Sequence, residues 1–288
     1  MKTIERIGSL RSWRRTATSP VVFVPTMGAL HSGHAALIRK ARKLAGAKGS
    51  VVVSVFVNPT QFGPKEDLSK YPRPFESDRA LCKREGADLL FHPTPEEMYA
   101  RDATLKVTES SLSTGLCGTS RPGHFDGVCT VVAMLFNMVQ PDSAVFGEKD
   151  WQQLAVIRRM VRDLAIPVKV VGHPTIREED GLAMSSRNRL LTPEARLVAP
   201  RIYQALLASS MEAEGGQRSV PRLLRGLITD ISAIPGAVLD YAEIRDEETL
   251  LPLTGLKPES KARIFVAVRF GSVRLIDNLP IRLPRSSR

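Results

Sequence analysis

Short runs of β-branched residues alternate with longer amphipathic segments through the first part of the chain. Strands are predicted at 21–24, 51–57, 88–92, 144–146 and 168–171. Helices are predicted between them, at 33–44, 77–86, 128–140 and 150–164. This alternation of strands and helices predicts an α/β fold, in which a parallel sheet carries helices on both faces.

The pattern changes after about residue 175. Two helices are predicted at 193–211 and 220–231, followed by strands at 238–244, 264–270 and 272–276. The second part is therefore expected to form a smaller α+β domain. We place the domains at residues 1–175 and 176–288, and we interpret residues 280–288 as a frayed tail.

Composition places the chain among ordinary globular proteins. Of its 288 residues, 43% are hydrophobic and 25% are charged, which argues against disordered and fibrous classes. No apolar run approaches the roughly 18 residues that a membrane span needs, and the N-terminus lacks the apolar segment of a secretory signal. Three cysteines without CxxC spacing argue against a disulfide framework and a zinc site. These features predict a soluble, cytoplasmic protein without a membrane partner.

The net charge of +11 indicates polyanionic partners. Aromatic residues make up only 6% of the chain and do not interleave with the basic runs, whereas proteins that stack bases need aromatic side chains. The charge therefore favours phosphorylated small molecules over nucleic acid. A nucleic-acid-binding module remains the alternative from another functional class, and a solvated helix face explains each basic run most simply.

The most informative segment is the turn PTMGALHSGH, between the first two predicted elements. Gly28 and Gly33 permit a tight turn and the close approach of a phosphate. The helix that follows directs its free N–H groups and positive dipole end at the same turn. His31 and His34, three residues apart, are expected to lie side by side and to donate to phosphate oxygens. The alternatives are ordinary capping histidines or, less favoured, a zinc site.

Two further clusters are suited to phosphate binding. In FGEKD, at another strand end, Lys149 follows a glycine at a helix start, and Asp150 is a possible helix cap or Mg²⁺ ligand. The segment is not a Walker A loop. In the loop between the domains, Ser185, Ser186 and Arg187 could close over a polyphosphate. A solvated lysine and an ordinary linker are the simpler interpretations.

Several polar residues stand in loops and at strand ends. Gln61 follows the strongest predicted strand, and Gln153 lies one turn into a helix; both amides suit a hydroxy acid. Asp78 is interpreted as a helix cap, with a metal ligand as the alternative. Tyr71 and Arg121 lie in loops and have no clear role.

Six motifs occur in the order and spacing of a known family: PTMGALHSGH, VNPTQF, YPR, RPGHFDGV, FGEKDWQQL and DGLAMSSRN. The chain resembles pantoate–β-alanine ligases (pantothenate synthetases) over about residues 1–280. The resemblance implies a Rossmann-like domain with a smaller C-terminal α+β lid domain, in a cytoplasmic homodimer. It also implies ATP-dependent joining of (R)-pantoate to β-alanine through an enzyme-bound pantoyl-adenylate, with Mg²⁺, giving pantothenate, AMP and diphosphate.

The same resemblance implies residue roles. His34 matches the proton donor, and His31 and Lys149 match the other catalytic positions. Gln61 matches the residue that contacts both pantoate and β-alanine, and Gln153 a second pantoate contact. The ATP-binding positions are Met27, Gly28, Ala29, Leu30, His31, Ser32, Gly33, His34, Gly147, Glu148, Lys149, Asp150, Ile176, Met184, Ser185, Ser186 and Arg187.

The sequence departs from the family pattern at two positions. His173 replaces the valine usual after the last strand of the first domain, and its role is not evident. Ser77 stands where some members have an acidic residue, which weakens a metal role for Asp78. Mg²⁺ is therefore expected to be held mainly by ATP phosphates, with Asp78 and Asp150 as weaker candidates.

The nearest alternative is a nucleotidyltransferase that keeps the nucleotide in its product. Such enzymes share the His-x-Gly-His turn but lack the Gln61–Gln153 pair. Release of free AMP distinguishes the ligase from this alternative.

Overall fold

The computed structural model describes residues 1–63 and 68–283 of the chain, with backbone only at residue 70. The described chain divides into two compact units. The first contains Met1–Glu148 and Gln152–Pro174, and the second contains Lys149–Trp151 and the residues from Thr175 onward. Each unit has its own β-sheet.

The first unit is built on a six-stranded sheet in the order β1-β4-β3-β2-β5-β6, and its paired strands are all parallel. The strands are β1 Lys2–Ile4, β2 Val21–Thr26, β3 Ser50–Val55, β4 Leu89–Phe91, β5 Ser143–Gly147 and β6 Lys169–His173. The helices are α1 Ile7–Thr16, α2 Ser32–Ala45, α3 Phe75–Arg84, α4 Pro95–Met98, α5 Cys117–Ser120, α6 His124–Val139 and α7 Trp151–Asp163. Short 3-10 helices cover Pro59–Gln61, Leu68–Lys70 and Glu148–Asp150.

The strand order fixes where a ligand is expected to bind. The chain passes from β2 through β3 to β4 on one side, and then from β5 to β6 on the other side of β2. Successive strands are therefore added in opposite directions on the two sides of the boundary between β2 and β5. Open parallel sheets bind ligands beyond the carboxyl ends of the strands at such a switch point. The turn after β2 and the segment after β5 both begin there.

The second unit is a three-stranded antiparallel sheet in the order β7-β8-β9, packed with helices. Its strands are β7 Ala237–Asp246, β8 Ala262–Phe270 and β9 Val273–Ile281. Its helices are α8 Pro193–Val198, α9 Arg201–Glu214 and α10 Val220–Ser232, preceded by a 3-10 helix at Ser186–Leu190. Leu206, Leu223 and Ile264 are fully buried in the shared core of the sheet and helices. The predicted fold class is confirmed.

Several elements differ from the prediction. The strand β1 and the helix α1 were not predicted, because β1 is three residues long and α1 buries only Leu10. Helix α6 begins at His124, four residues earlier than predicted. The predicted helix at 193–211 is divided into α8 and α9 by Pro200, whose nitrogen cannot donate a helical hydrogen bond.

The C-terminal end and the domain assignment also differ. Strand β9 extends through Pro280 to Ile281, so the predicted frayed tail begins later than residue 280; residues 284–288 lie outside the described part. A proline is compatible with β9 because this strand lies at the edge of its sheet. Residues 149–151, which we assigned to the first domain, belong to the second compact unit. No described helix is long and apolar enough to cross a membrane.

Candidate active site

Two histidines stand at the start of α2, and their rings lie side by side with centroids 4.2 Å apart. His31 caps the helix, because its Nδ1 accepts a hydrogen bond from the backbone N–H of Gly33 at 3.1 Å. The Nδ1 of His34 accepts from the backbone N–H of His31 at 3.3 Å. The two side chains therefore form a reciprocal capping box.

These hydrogen bonds determine the tautomers of the two neutral rings. A ring nitrogen that accepts from a backbone N–H carries no proton, so the proton lies on the other nitrogen. His31 and His34 are thus both Nε2–H donors. Capping and phosphate binding, which the sequence left as alternatives, use opposite nitrogens of the same ring and are compatible.

Asp78, on α3, holds the preceding part of the turn in place. Its carboxylate accepts from the backbone N–H groups of Ala29 (2.8 Å) and Leu30 (2.7 Å), and its side chain is buried. The sequence suggested a cap of its own helix or a metal ligand, whereas these two contacts are with the turn after β2. The turn needs this support because Gly28 (φ +84°) and Ala29 (φ +50°) both adopt left-handed conformations. A Cβ on Gly28 would lie 2.9 Å from a carboxylate oxygen of Asp78.

The cysteines are free thiols buried in the first unit. Burial, together with the nearby negative charge of Asp78, raises the pKa of Cys82 to about 12. Burial likewise raises the pKa of Cys129 to about 12. Both thiols therefore stay protonated at neutral pH, as expected for structural rather than reactive cysteines.

Gln61 is buried at the end of the turn that follows β3. Its side-chain Nε2 lies 2.8 Å from the sulfur of Met27, so the structure brings Gln61 next to the histidine-containing turn. Its backbone carbonyl accepts from Arg121 (3.2 Å) and from Nδ1 of His124 (2.9 Å). Arg121, which had no role in the sequence interpretation, is therefore part of the structure around Gln61.

The two neighbouring glutamines on α7 have different environments. Gln152 is buried. Its side-chain NH₂ group donates to the carbonyls of Leu112 and Gly115, and its amide oxygen accepts from the backbone N–H of Cys117. Gln153 is partly buried, and its side chain makes no hydrogen bond to the described residues. Its amide is therefore available to a ligand, whereas that of Gln152 is committed to the fold.

In the second unit, the serine-rich loop is held by hydrogen bonds. Ser185 caps the 3-10 helix by accepting from the backbone N–H of Arg187 at 3.2 Å. Asn188 donates to the Glu178 carboxylate (2.7 Å), which also pairs with Arg196 (2.5 Å). These contacts connect the loop to Glu178 and Arg196.

The segment 149–151 packs with the second sheet. The carbonyl of Lys149 accepts from Asn278 at 2.8 Å, and the guanidinium of Arg263 stacks on Trp151 at 3.5 Å. The ammonium of Lys149 lies 3.7 Å from the Asp150 carboxylate. These contacts explain why the three residues group with the second unit.

The remaining candidates lie in both units. Gly147 ends β5 opposite His173, the last residue of β6, and Glu148 follows it. The carbonyl of Ile176 accepts from the backbone N–H of Met184 at 2.9 Å. Tyr71 is buried with its ring 5.8 Å from that of Phe62.

Comparison with known proteins identifies the family. The Pantoate-beta-alanine ligase family model matches residues 1–280. Pantothenate synthetase from Thermus thermophilus is 52% identical over 282 residues, covering 98% of this chain and 99% of the relative. The chain belongs to the pantoate–β-alanine ligase family. It is a carbon–nitrogen ligase that forms pantothenate, so the ligase interpretation is confirmed.

Other relatives of this ligase support the same assignment. The relative from Akkermansia muciniphila is 51% identical, covering 91% of this chain and 92% of its own length. A crystal structure of the Thermus thermophilus synthetase has a TM-score of 0.91 at 51% identity, covering 98% of this chain and 100% of that one. The ligase from Francisella tularensis, complexed with β-γ ATP and β-alanine, has a TM-score of 0.79 at 34% identity, with 97% of each chain covered.

The structure of this ligase reveals residues that the sequence analysis missed. Asn58, Tyr99 and His124 all contact Gln61 or its partners, yet they lie up to 63 residues from it. Asn58 lies in the family motif VNPTQF and His124 in RPGHFDGV, so membership of a motif could have indicated these two residues. Tyr99 lies outside every motif and gave no signal.

The described residues offer no dedicated metal site. Across 1–63 and 68–283, no group of three or more His, Cys, Asp or Glu side chains is arranged to hold an ion. Both carboxylate oxygens of Asp78 accept backbone N–H groups, which argues against a metal role for it. Asp150 is partly exposed and remains compatible with Mg²⁺ bound largely through phosphates.

Gly127→Ala is expected to destabilise the ligase and displace Gln61. A Cβ on this α6 residue would lie 2.5 Å from the carbonyl oxygen of Thr60 and 2.7 Å from Cα of Gln61. Overpacking of this kind costs about 1–3 kcal/mol in unfolding free energy. Chemical denaturation measures the loss. Gly147→Ala is a suitable control, since a Cβ there meets no heavy atom within 4 Å; an equal loss in both variants would contradict the steric explanation.

Proposed function

We propose that the ligase uses ATP to activate pantoate as an enzyme-bound pantoyl-adenylate, which β-alanine then converts to pantothenate with release of AMP. The observation that carries this proposal is the pair of Nε2–H donors at the start of α2. These donors and the helix N-terminus form a site suited to phosphoryl oxygens. The Francisella tularensis relative is complexed with β-γ ATP and β-alanine, which supports the same substrates for this ligase.

The first step forms a mixed anhydride. A pantoate carboxylate oxygen attacks the α-phosphorus, and the bond to the β-phosphate oxygen breaks, so diphosphate leaves with the electron pair. Negative charge grows on the phosphoryl oxygens, and donors fixed there stabilise the transition state selectively. We assign this role to His31, His34 and Lys149, together with Ser185, Ser186 and Arg187.

We assign the remaining ATP contacts to three parts of the chain. The turn contributes 27–34, the segment after β5 contributes 147–150, and Ile176 and Met184 complete the set. Bound Mg²⁺, held by the ATP phosphates with Asp150 as the favoured protein ligand, would neutralise phosphate charge. The described contacts of Asp78 disfavour it as a ligand.

The second step forms the amide. The neutral amine of β-alanine attacks the carbonyl carbon of the adenylate and loses a proton, the bond from that carbon to the phosphate oxygen breaks, and AMP leaves with the electron pair. We assign Gln61 to both pantoate and β-alanine, and Gln153 to pantoate. We also propose that residues 176–288 act as a lid that excludes water from the adenylate, and that the ligase is a homodimer, which sedimentation analysis tests.

The adenylate is tested by isotope exchange. Ligase with ATP, Mg²⁺ and pantoate is expected to exchange labelled diphosphate into ATP without β-alanine, because the first step is reversible while the adenylate stays bound. Omitting pantoate is the control and should abolish the exchange. Exchange that requires β-alanine would refute a separate adenylation step.

A further inference from the structure

Asn58 is buried, and both the NH₂ group and the oxygen of its side-chain amide make hydrogen bonds. Its Nδ2 contacts the carbonyl of Gly127 and Oε1 of Gln61, each at 3.1 Å. Its Oδ1 accepts from the Tyr99 hydroxyl (2.7 Å) and from the hydroxyl and backbone N–H of Thr60. A carbonyl can only accept and a backbone N–H can only donate, so these two backbone groups fix which end of the Asn58 amide is which.

The orientation of Asn58 determines that of Gln61. The second N–H of Asn58 Nδ2 points at the Gln61 side chain, where only the amide oxygen can accept it. The NH₂ group of Gln61 therefore lies on the other side, against the sulfur of Met27. A thioether is a weak acceptor, so an oxygen atom of a ligand can replace it as the partner of this NH₂ group.

The backbone of Gln61 is fixed independently of its side chain. Arg121 and His124 both donate to its carbonyl, and an Arg121 nitrogen lies 3.1 Å from Nε2 of His124. Gly127 brings α6 into close contact with the backbone of Gln61. With the backbone held by these groups, the side-chain amide has little freedom to reverse.

We propose that Tyr99 is a positioning residue: by donating to the Asn58 oxygen, it reinforces the orientation that the backbone of Gly127 and Thr60 gives Asn58, and so helps to keep Gln61 a hydrogen-bond donor only toward its substrate. The proposal rests on the placement of Gln61 against pantoate in the proposed function. The site would then require an acceptor on the acid, such as a carboxylate or hydroxyl oxygen. A ligand presenting only a donor to Gln61 would leave two donors facing each other.

Gln61→Glu tests the polarity of the amide. Asn58 still satisfies one carboxylate oxygen, and the other replaces the NH₂ group and repels an acceptor. We expect the pantoate KM at about pH 8 to rise at least about tenfold. This corresponds to the loss of one charge-assisted hydrogen bond. The increase should shrink toward about pH 5.5, where protonation of the new carboxyl begins to restore a donor.

The pH profile of unmodified ligase over the same range is the control, because Arg121, His124 and Tyr99 are the charged or titratable groups bonded around Gln61 and Asn58. Recovery of Gln61→Glu relative to that profile supports the proposal. A near-normal pantoate KM at the higher pH, or a defect independent of pH, overturns it. If the unmodified ligase showed no pantoate-dependent diphosphate exchange, the proposed function would fail instead.

Tyr99→Phe tests the positioning role. The phenol is partly buried, which raises its pKa and keeps it a donor at neutral pH. Losing its hydroxyl should raise the pantoate KM about three- to tenfold, the usual range for one neutral hydrogen bond, and leave the ATP KM unchanged. Tyr203→Phe is the matched control, since its ring stacks on Arg177 in the second unit. Equal changes in both KM values, or no change in either, would overturn the role of Tyr99.

Discussion

Replacing His34 by asparagine is expected to lower kcat about 10²- to 10³-fold, the usual effect of removing one donor to a developing oxyanion. Asparagine Oδ1 takes the place of Nδ1 and can accept from the backbone N–H of His31, so the capping box is retained. No atom replaces Nε2–H. Steady-state kinetics with thermal unfolding measures both effects, and the melting temperature should change little.

His34→Gln provides the complementary variant. Its side-chain NH₂ group reaches the position of Nε2 and can donate, and its oxygen can accept from the backbone N–H of His31, as glutamine does at this position of a capping box. We expect this variant to keep more activity than His34→Asn, because it retains a donor near the position of Nε2, and to change little in stability, because the cap is retained. If the asparagine variant were the more active of the two, the phosphate role assigned to Nε2–H would be wrong.

The histidine pair could be predicted because all its determinants are local. The strand, the glycine-containing turn and the helix start are consecutive in the sequence, and residues three apart at a helix start are neighbours. The hydrogen bonds that fix the two tautomers also lie within residues 31–34. The local sequence therefore predicts both the strand, turn and helix and the proximity of the two histidine rings.

The long-range hydrogen bonds that hold the site in place could not be predicted in the same way. Asp78 lies 48 residues beyond Leu30, and Tyr99 lies 41 beyond Asn58. Such pairs depend on strand order, and the sequence predicts that strands form more reliably than it predicts which strands are neighbours. A buried aspartate in α3 had the local features of an ordinary helix cap. Only the sheet order shows that it reaches the turn after β2.

Asp78→Ala is expected to cause the largest loss of stability among these variants. Asp78 is buried, and its removal leaves the backbone N–H groups of Ala29 and Leu30 without this acceptor. Each buried donor left unsatisfied costs about 1–3 kcal/mol, so the unfolding free energy should fall by about 2–6 kcal/mol. Activity should fall as well, because this turn leads directly into His31.

Asp78→Asn separates the two effects. It keeps the shape of the side chain but replaces one acceptor by an NH₂ group that opposes a backbone N–H, so one hydrogen bond is retained. We expect an intermediate loss of stability together with a large loss of kcat, because the left-handed turn at Gly28 and Ala29 is held at only one point. Glu76→Gln, on the exposed side of α3, is the control. If Asp78→Asn kept normal activity at reduced stability, the carboxylate would support the fold without positioning the histidines.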